Sequence, residues 1–173
     1  MMGTHSYIGR ERDDGSVQYV YCHWNGYPTN NGRILLEHYS SRERVEQLLA
    51  LGELSSLAPR LEPTQPVLPG GWVGKTEEGV VAAYARERGD EPRPPLTAAS
   101  LADLRAGVEY GYVLLRGGTW VYSRSHYPPP PRPGHERLGG PVWGSWVPLD
   151  AEAIEAEYAA AAAADASFGQ REV

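Results

Sequence analysis

The side chains best suited to chemistry lie close together between residues 17 and 39. Within a few positions the chain offers an imidazole, an indole, a carboxamide and a phenol. An imidazole can exchange a proton near neutral pH, and a carboxamide both donates and accepts hydrogen bonds. Indole and phenol rings can stack on a planar ligand. This pattern predicts a ligand-binding corner made of His23, Trp24, Asn25 and Tyr27.

Two further candidates follow in the same stretch. Arg33 stands at the start of a predicted helix, where free backbone N–H groups and the helix dipole favour an anion. Helix capping by Asn30 and Asn31 explains the local sequence equally well. His38 lies further along this helix and is a candidate ligand contact.

A second group of candidates comes about sixty positions later, in residues 77–88. If this stretch is a strand, Tyr84, Arg86 and Arg88 share one face. Guanidinium groups then offer a planar, two-pronged grip for phosphate or carboxylate. The same residues are compatible with a helix, and a solvated charged segment without a ligand is the alternative reading of their charges.

The sequence offers no convincing metal site or nucleophile. A zinc site usually takes four ligands, and the single cysteine, Cys22, with scattered histidines supplies too few. Neighbours along a strand point to opposite faces, so Cys22 and His23 are not placed as a catalytic pair. No Walker, nucleophile-elbow or zinc-protease spacing occurs. We therefore predict no cofactor, no metal and no catalytic residue, and binding rather than catalysis.

Composition narrows the class of protein. A net charge of −6 argues against a general nucleic-acid binder, whereas a small anionic ligand needs only a few local cations. No apolar run approaches the roughly 20 residues that cross a bilayer, so no membrane partner is expected. A single cysteine fits a reducing compartment, and we predict a cytoplasmic protein.

Two β-hairpins are predicted around these residues. The first joins residues 7–12 to 17–23 through an Asp-Asp-Gly-Ser turn. The second joins residues 109–115 to 119–123 through Gly117-Gly118. The pattern predicts an α+β fold whose antiparallel sheet is built from these hairpins, joined through the 80–88 segment, with helices packed on one face.

The remaining elements follow from helix signals and composition. Helices are predicted around 34–39 and 41–51, with a short one at 97–107. One α+β domain is expected over 1–148, with Pro/Gly-rich loops at 57–76 and 124–141. Residues 149–173 are predicted to form an Ala-rich C-terminal helix and a frayed tail.

The order of motifs resembles a family of small, mostly uncharacterised proteins of tailed phages and prophages. The resemblance spans most of residues 3–123. It rests on Gly-Thr-His-Ser-Tyr-Ile-Gly, Tyr-Cys-His-Trp-Asn-Gly-Tyr-Pro, Leu-Leu-Glu-His-Tyr and Tyr-Ala-Arg-Glu-Arg-Gly. Asn25 stands where relatives often have Asp, and His5 where they often have Arg, which makes His5 a weak site candidate. The resemblance implies phage origin and action in the host bacterial cytoplasm.

Three functions follow as hypotheses. The first is a phage-encoded binding protein that sequesters a small anionic, nucleotide-derived immune signal of the host. It requires the His23–Trp24 corner and the arginines of 86–88 to line a common hollow. The second is an enzyme that acts on such a ligand with His23 or His38 as general base.

The third is a protein inhibitor or structural phage module that uses the Ala-rich helix with Trp143 and Trp146. Those tryptophans can equally anchor their segment back onto the domain. Pairing of the helix with a second copy would make the protein a homo-oligomer, and the sequence leaves this open.

Overall fold

The computed structural model describes residues 3–64, 77–130, 132–134 and 139–169, with side chains up to residue 163 in the final stretch. Much of the predicted 57–76 loop, part of the 124–141 loop and the end of the predicted tail lie outside the described residues.

Nine strands occur in the described residues. They are β1 (Ser6–Glu11), β2 (Val17–Cys22), β3 (Leu54–Ser56), β4 (Ala82–Ala83), β5 (Leu96–Ala98), β6 (Tyr110–Leu114), β7 (Trp120–His126), β8 (Val142–Trp143) and β9 (Val147–Pro148). The helices are a π-helical turn (Pro28–Gly32), α1 (Arg33–His38), α2 (Arg42–Leu49), α3 (Tyr84–Arg88) and α4 (Ala151–Gly169). Among the described residues, no helix combines the length and apolarity needed to cross a bilayer.

The strands form one mixed sheet in the order β4-β3-β2-β1-β6-β7-β8, with β5 beside β2 and β9 beside β7. Both predicted hairpins are present as the antiparallel pairs β1–β2 and β6–β7. However, β1 pairs with β6 in parallel, and β2 pairs with β3 in parallel. The prediction of a purely antiparallel sheet was therefore wrong, and the hairpins join directly rather than through residues 80–88.

One face of the sheet carries the main core. Because side chains alternate along a strand, Ile8, Val20 and Tyr112 point to the same side, and each is at most 3% exposed. Leu35 of α1 and Leu48 of α2 pack into the same cluster. Ile154 of α4 joins it. The predicted packing of helices on one face is confirmed for these three.

The opposite face carries a second, smaller apolar cluster. Trp143 and Trp146 cover the sheet there at Gly111, where an added Cβ would lie 3.0 Å and 2.7 Å from their rings. The Trp143 indole also donates a 2.9 Å hydrogen bond to the carbonyl of Leu104. Both tryptophans are therefore half-buried and anchor their segment onto the domain, which was one of the two roles predicted for them.

The predicted helix at 97–107 does not form. Its first residues belong to β5, which pairs with β2 through Gln18↔Thr97 and Val17↔Ala98. Leu104 then enters the second cluster at 2% exposure. Sheet pairing and burial outweigh the helix propensity of the local alanines.

Residues 77–88, for which both a strand and a helix were compatible with the sequence, contain a short piece of each. Ala82 and Ala83 pair with β3 at the sheet edge, and the chain becomes helical at Tyr84. Gly89 ends this helix with a left-handed φ of 75°.

Candidate functional site

The candidate site is centred on the hydroxyl of Tyr21. Its oxygen lies 2.8 Å from Nδ1 of His23 and 3.0 Å from Nδ1 of His5. The His5 Nδ1 also lies 2.7 Å from the backbone carbonyl oxygen of His23. The two imidazole rings face each other with centroids 4.6 Å apart. Three polar side chains thus form one hydrogen-bonded unit at the end of β2.

For neutral rings, the contacts fix the tautomer of His5 and allow His23 to accept from Tyr21. A carbonyl oxygen only accepts, so Nδ1 of His5 carries the proton of that ring and donates it to the His23 carbonyl. This leaves a lone pair at Nε2 of His5. The hydroxyl of Tyr21 can then donate its proton to Nδ1 of His23, which places the proton of that ring on Nε2. In this arrangement the unit offers one hydrogen-bond donor and one acceptor.

Strand pairing positions this unit. Tyr21 and His23 are two positions apart and point to the same side of the sheet. The N–H of His23 donates to the carbonyl of Leu54 at 3.0 Å, which extends the contact with β3 past the last residue of β2. On the other side, the N–H of His5 donates to the Glu109 carboxylate at 3.0 Å.

Trp24 forms the outer wall of the site. Its ring stands nearly perpendicular to His23, at 87° with centroids 4.7 Å apart, and 42% of the residue is exposed. A partly exposed indole ring of this kind can stack on a planar group.

The turn behind Trp24 is held by close packing. Asn25 has a φ of 57°, a left-handed conformation that asparagine tolerates. A Cβ at Gly26 would lie 2.9 Å from the carbonyl oxygens of Thr4 and His5. The buried Tyr112 hydroxyl donates to the Gly26 carbonyl at 2.6 Å.

Asn31 in the π-helical turn ties this turn to the sheet. It is completely buried, and its amide nitrogen lies 3.3 Å from the Trp24 carbonyl and 3.2 Å from the Ser6 hydroxyl. Its backbone N–H reaches the Asn25 carbonyl at 3.3 Å. Asn31 is thus a positioning residue for Trp24, and isolated π-turns of this kind often occur at functional sites.

Two predicted residues of the later segment reach this region from the sheet edge. The N–H of Tyr84 donates to the carbonyl of Glu53 at 3.2 Å, and Glu53 lies beside Tyr21 in the register of β2 and β3. Two strand spacings separate Tyr21 from Tyr84, roughly 10 Å. The Arg88 guanidinium lies 5.3 Å over the Tyr84 ring and is exposed. Arg88 is thus a cation at the border of the site.

Arg86 instead binds backbone carbonyl groups of the protein itself. Its two terminal nitrogens donate to the carbonyls of Leu61 and Val81 at 2.7 and 2.6 Å. Because residues 84–88 are helical, Arg86 does not share a face with Tyr84 and Arg88. The predicted arrangement of Tyr84, Arg86 and Arg88 on one face, which requires a strand, was therefore wrong.

The other predicted residues lie elsewhere. Arg33 belongs to α1, on the helical side of the sheet, and pairs with Glu155 of α4 at 3.3 Å. His38, at the end of α1, is exposed, and its Nε2 lies 3.9 Å from the Glu37 carboxylate. Tyr27 is 46% exposed next to Tyr110.

Burial sets the proton affinity of the groups around the site. It raises the pKa of Tyr21 above its usual value, and the charges of nearby Tyr84 and Glu109 add to the effect. Burial also raises the pKa of the Cys22 thiol to about 11, so this cysteine stays neutral and unreactive. In the described part of the chain, no group of three or more His, Cys, Asp or Glu residues is placed to hold a metal ion.

A cavity of about 500 Å³ lies elsewhere, between the first hairpin turn and α2. Two of its arginines pair with carboxylates of the same cavity, Arg10 with Glu46 at 3.0 Å and Arg42 with Asp13 at 2.6 Å. Because these pairs already occupy two of its cations, we do not place the site there.

Sequence reasoning missed three members of the site. The alternation of β2 already places Tyr21 on the same face as His23, which is the signal for its role. His5 was set aside because of the family resemblance, and only the fold brings it against His23. Asn31 reads as a helix cap in the sequence, and its contacts cross 25 positions to Ser6.

Searches against protein-family models, curated proteins and solved structures returned no match to this chain.

Proposed function

We propose that this protein binds a small, planar, negatively charged ligand at the Tyr21-centred site, and that it sequesters this ligand without transforming it. The observation that carries the proposal is the set of contacts that Tyr21 and the His23 carbonyl make with the two imidazole rings. Donation from Nδ1 of His5 to that carbonyl leaves Nε2 of neutral His5 as an acceptor. We assign the Tyr21 hydroxyl as the donor to Nδ1 of His23, which leaves Nε2 of His23 as a donor.

The surroundings support a planar ligand. Trp24 is 42% exposed and its ring stands next to that of His23. Base stacking on an aromatic side chain contributes about 1–3 kcal/mol. A stacking ring beside a hydrogen-bond donor and an acceptor can contact a nucleobase on its face and on its edge.

Charge supports a ligand with few phosphates. Arg88 is an exposed cation at the border of the site, whereas Arg86 and Arg33 have protein partners. The net charge of −6 argues against long nucleic acid. A nucleotide-derived signalling molecule fits this limited supply of cations.

The biological setting follows from the family resemblance. A protein of phage origin that captures a nucleotide signal in the host bacterial cytoplasm would blunt a defence response of that host. Sequestration needs only the binding geometry described here.

Calorimetric titration with cyclic di-GMP, cyclic di-AMP, cyclic GMP–AMP and cyclic ADP-ribose tests the proposal. We expect micromolar or tighter binding of at least one. Heating the complex and weighing the released molecule by mass spectrometry should return it intact. Failure of all four to bind contradicts the proposal.

A matched pair of variants locates the site. His23→Ala should weaken binding about tenfold or more, since it removes a ligand hydrogen bond and the packing of Trp24. His38→Ala changes the same residue type on the opposite side of the sheet and should leave affinity unchanged. Equal effects of the two variants would place the ligand elsewhere.

A second candidate function is an enzyme acting on the same class of ligand. The lone pair at Nε2 of His5, with Nδ1–H fixed by a carbonyl, is the arrangement of a general base. This alternative predicts an altered mass of the released molecule, which His5→Ala would abolish while binding persists.

A further inference from the structure

A pocket of about 300 Å³ opens next to the site, at the outer edge of β2. The edge pairs with β5 up to Tyr19 and with β3 from Cys22 onward, so Val20 and Tyr21 lie in the gap between the two partners. The lining residues are Tyr19, Val20, Tyr21, Gly52, Glu53, Arg93, Pro94, Pro95 and Leu96.

The pocket has mostly apolar walls and two opposite charges. Tyrosine and proline side chains line it together with Leu96, which is 57% exposed. Glu53 and Arg93 are exposed, and neither has an ion-pair partner among the described residues. The pocket therefore combines an apolar lining with one carboxylate and one guanidinium that have no ion-pair partner among the described residues.

We propose that this pocket takes a guanine base of the ligand, with its Watson–Crick edge on the carboxylate of Glu53. This inference rests on the proposed function and names the base that it selects. Guanine presents two adjacent donors, N1–H and the exocyclic amine, which match the two acceptor oxygens of a carboxylate. Adenine presents one amine next to an acceptor nitrogen, which a carboxylate repels.

The size of the pocket sets how much of the ligand enters. Its volume stands at the lower end of the roughly 300–1,000 Å³ typical of small-molecule sites. One base with part of its sugar fits, and a whole dinucleotide does not. The rest of the ligand must lie outside.

Tyr21 connects the pocket to the histidines. Its ring lines the pocket, and its hydroxyl binds His5 and His23. A ligand whose guanine lies beside Glu53 therefore extends along β2 toward Trp24. Arg93 at the rim is placed for a phosphate of the same ligand.

Competitive titration with cyclic di-GMP and cyclic di-AMP, on the full-length protein and on Glu53→Gln, tests the inference. We expect the guanine ligand to bind at least about tenfold more tightly, as a good bidentate pair discriminates bases. Glu53→Gln replaces one acceptor by a donor and should remove that preference. Glu91→Gln makes the same change at an exposed position that does not line the pocket, and should retain it.

The outcomes separate the two proposals. In one outcome both ligands bind with equal affinity, Glu53→Gln does not change that affinity, and His23→Ala abolishes it. This outcome overturns the guanine assignment and supports the binding site. In the other outcome neither ligand binds, and cyclic GMP–AMP and cyclic ADP-ribose do not bind either. This outcome overturns the proposed function and this inference with it.

Discussion

The hydroxyl oxygen of Tyr21 lies 2.8 Å from Nδ1 of His23, two positions further along the chain. When the hydroxyl donates to Nδ1, the hydrogen of neutral imidazole stands on Nε2. We propose that Tyr21 in this way sets what His23 presents to a ligand, whereas the tautomer of His5 follows from its contact with the His23 carbonyl.

The first prediction concerns Tyr21→Phe. The variant should lose the preference of His23 for the Nε2–H tautomer, visible in long-range ¹H–¹⁵N spectra of the imidazole. Ligand affinity should fall about 2- to 10-fold, the effect of one hydrogen bond. Thermal stability should change little, since the hydroxyl is only partly buried. An unchanged tautomer in this variant would mean that the hydroxyl does not orient His23.

The second prediction concerns the buried amide of Asn31. Asn31→Ala removes the hydrogen bonds to Trp24 and Ser6. Because it leaves the Trp24 carbonyl without this partner, denaturant unfolding should show a loss of about 1–3 kcal/mol. Trp24 fluorescence should shift as the ring loses its fixed place.

Asn30→Ala is the matched control. Asn30 is only half-buried, and its amide nitrogen donates to Oδ1 of Asn31 at 3.0 Å and approaches the Asn25 carbonyl at 3.4 Å. Asn30→Ala therefore removes one donor to Asn31 and leaves the bonds from Asn31 to Trp24 and Ser6 in place. The free energy of unfolding of the Asn30→Ala variant should differ from that of the native protein by less than about 1 kcal/mol. Equal losses in the two variants would remove the positioning role of Asn31.

The third prediction separates the two arginines of α3. Arg86→Met leaves the carbonyls of Leu61 and Val81 without their charged donor, which should cost about 2–3 kcal/mol in unfolding free energy. Arg88→Met removes an exposed cation and should leave stability within about 0.5 kcal/mol. Ligand affinity should fall in the second variant. The reverse pattern would contradict the assignment of Arg86 to structure and Arg88 to the site.

The fourth prediction follows from Cys22. Its pKa is about 11 in the folded protein against 9.0 for an ordinary thiol. The folded state therefore holds the proton more tightly, so this group stabilises the fold below pH 9 and loses its contribution as pH rises toward 11. By pH 10 the loss should be about 1 kcal/mol.

Chemical unfolding at pH 8 and pH 10 measures this effect. Cys22→Ala should show a smaller loss than the native protein between the two pH values, with the remaining loss due to buried tyrosines such as Tyr39, whose pKa burial raises to about 12. The native thiol should also resist alkylation at pH 8. Rapid alkylation without unfolding would contradict the buried, neutral state.

Local signals in the sequence predicted much of the fold. Both hairpins follow from alternating apolar residues around Gly-containing turns, and α2 follows from Ser41, whose side chain accepts from the Arg44 N–H. The parallel pairing of β1 with β6 was not predictable in this way, because no local pattern specifies which strand a hairpin meets across a hundred positions.

The parts of the candidate site that lie close together in the sequence were predictable, and the parts that the fold brings together were not. His23 and Trp24 stand out because their residue types are concentrated in one turn. Arg86 could not be separated from Arg88 without knowing that the chain turns helical at Tyr84. The contact of His5 with His23 depends on the register of β1 and β2, which the sequence fixes only after the turn is placed.

The central claim is that a ligand binds at the Tyr21-centred site, and the most direct measurement is side-chain ¹H–¹⁵N spectroscopy during titration with cyclic di-GMP. We predict that the imidazole signals of His5 and His23 and the indole signal of Trp24 shift together and saturate. His38 and His126, which lie outside the site, should stay in place. Shifts at His38 with none at His23, or no shift at saturating ligand, would contradict the claim.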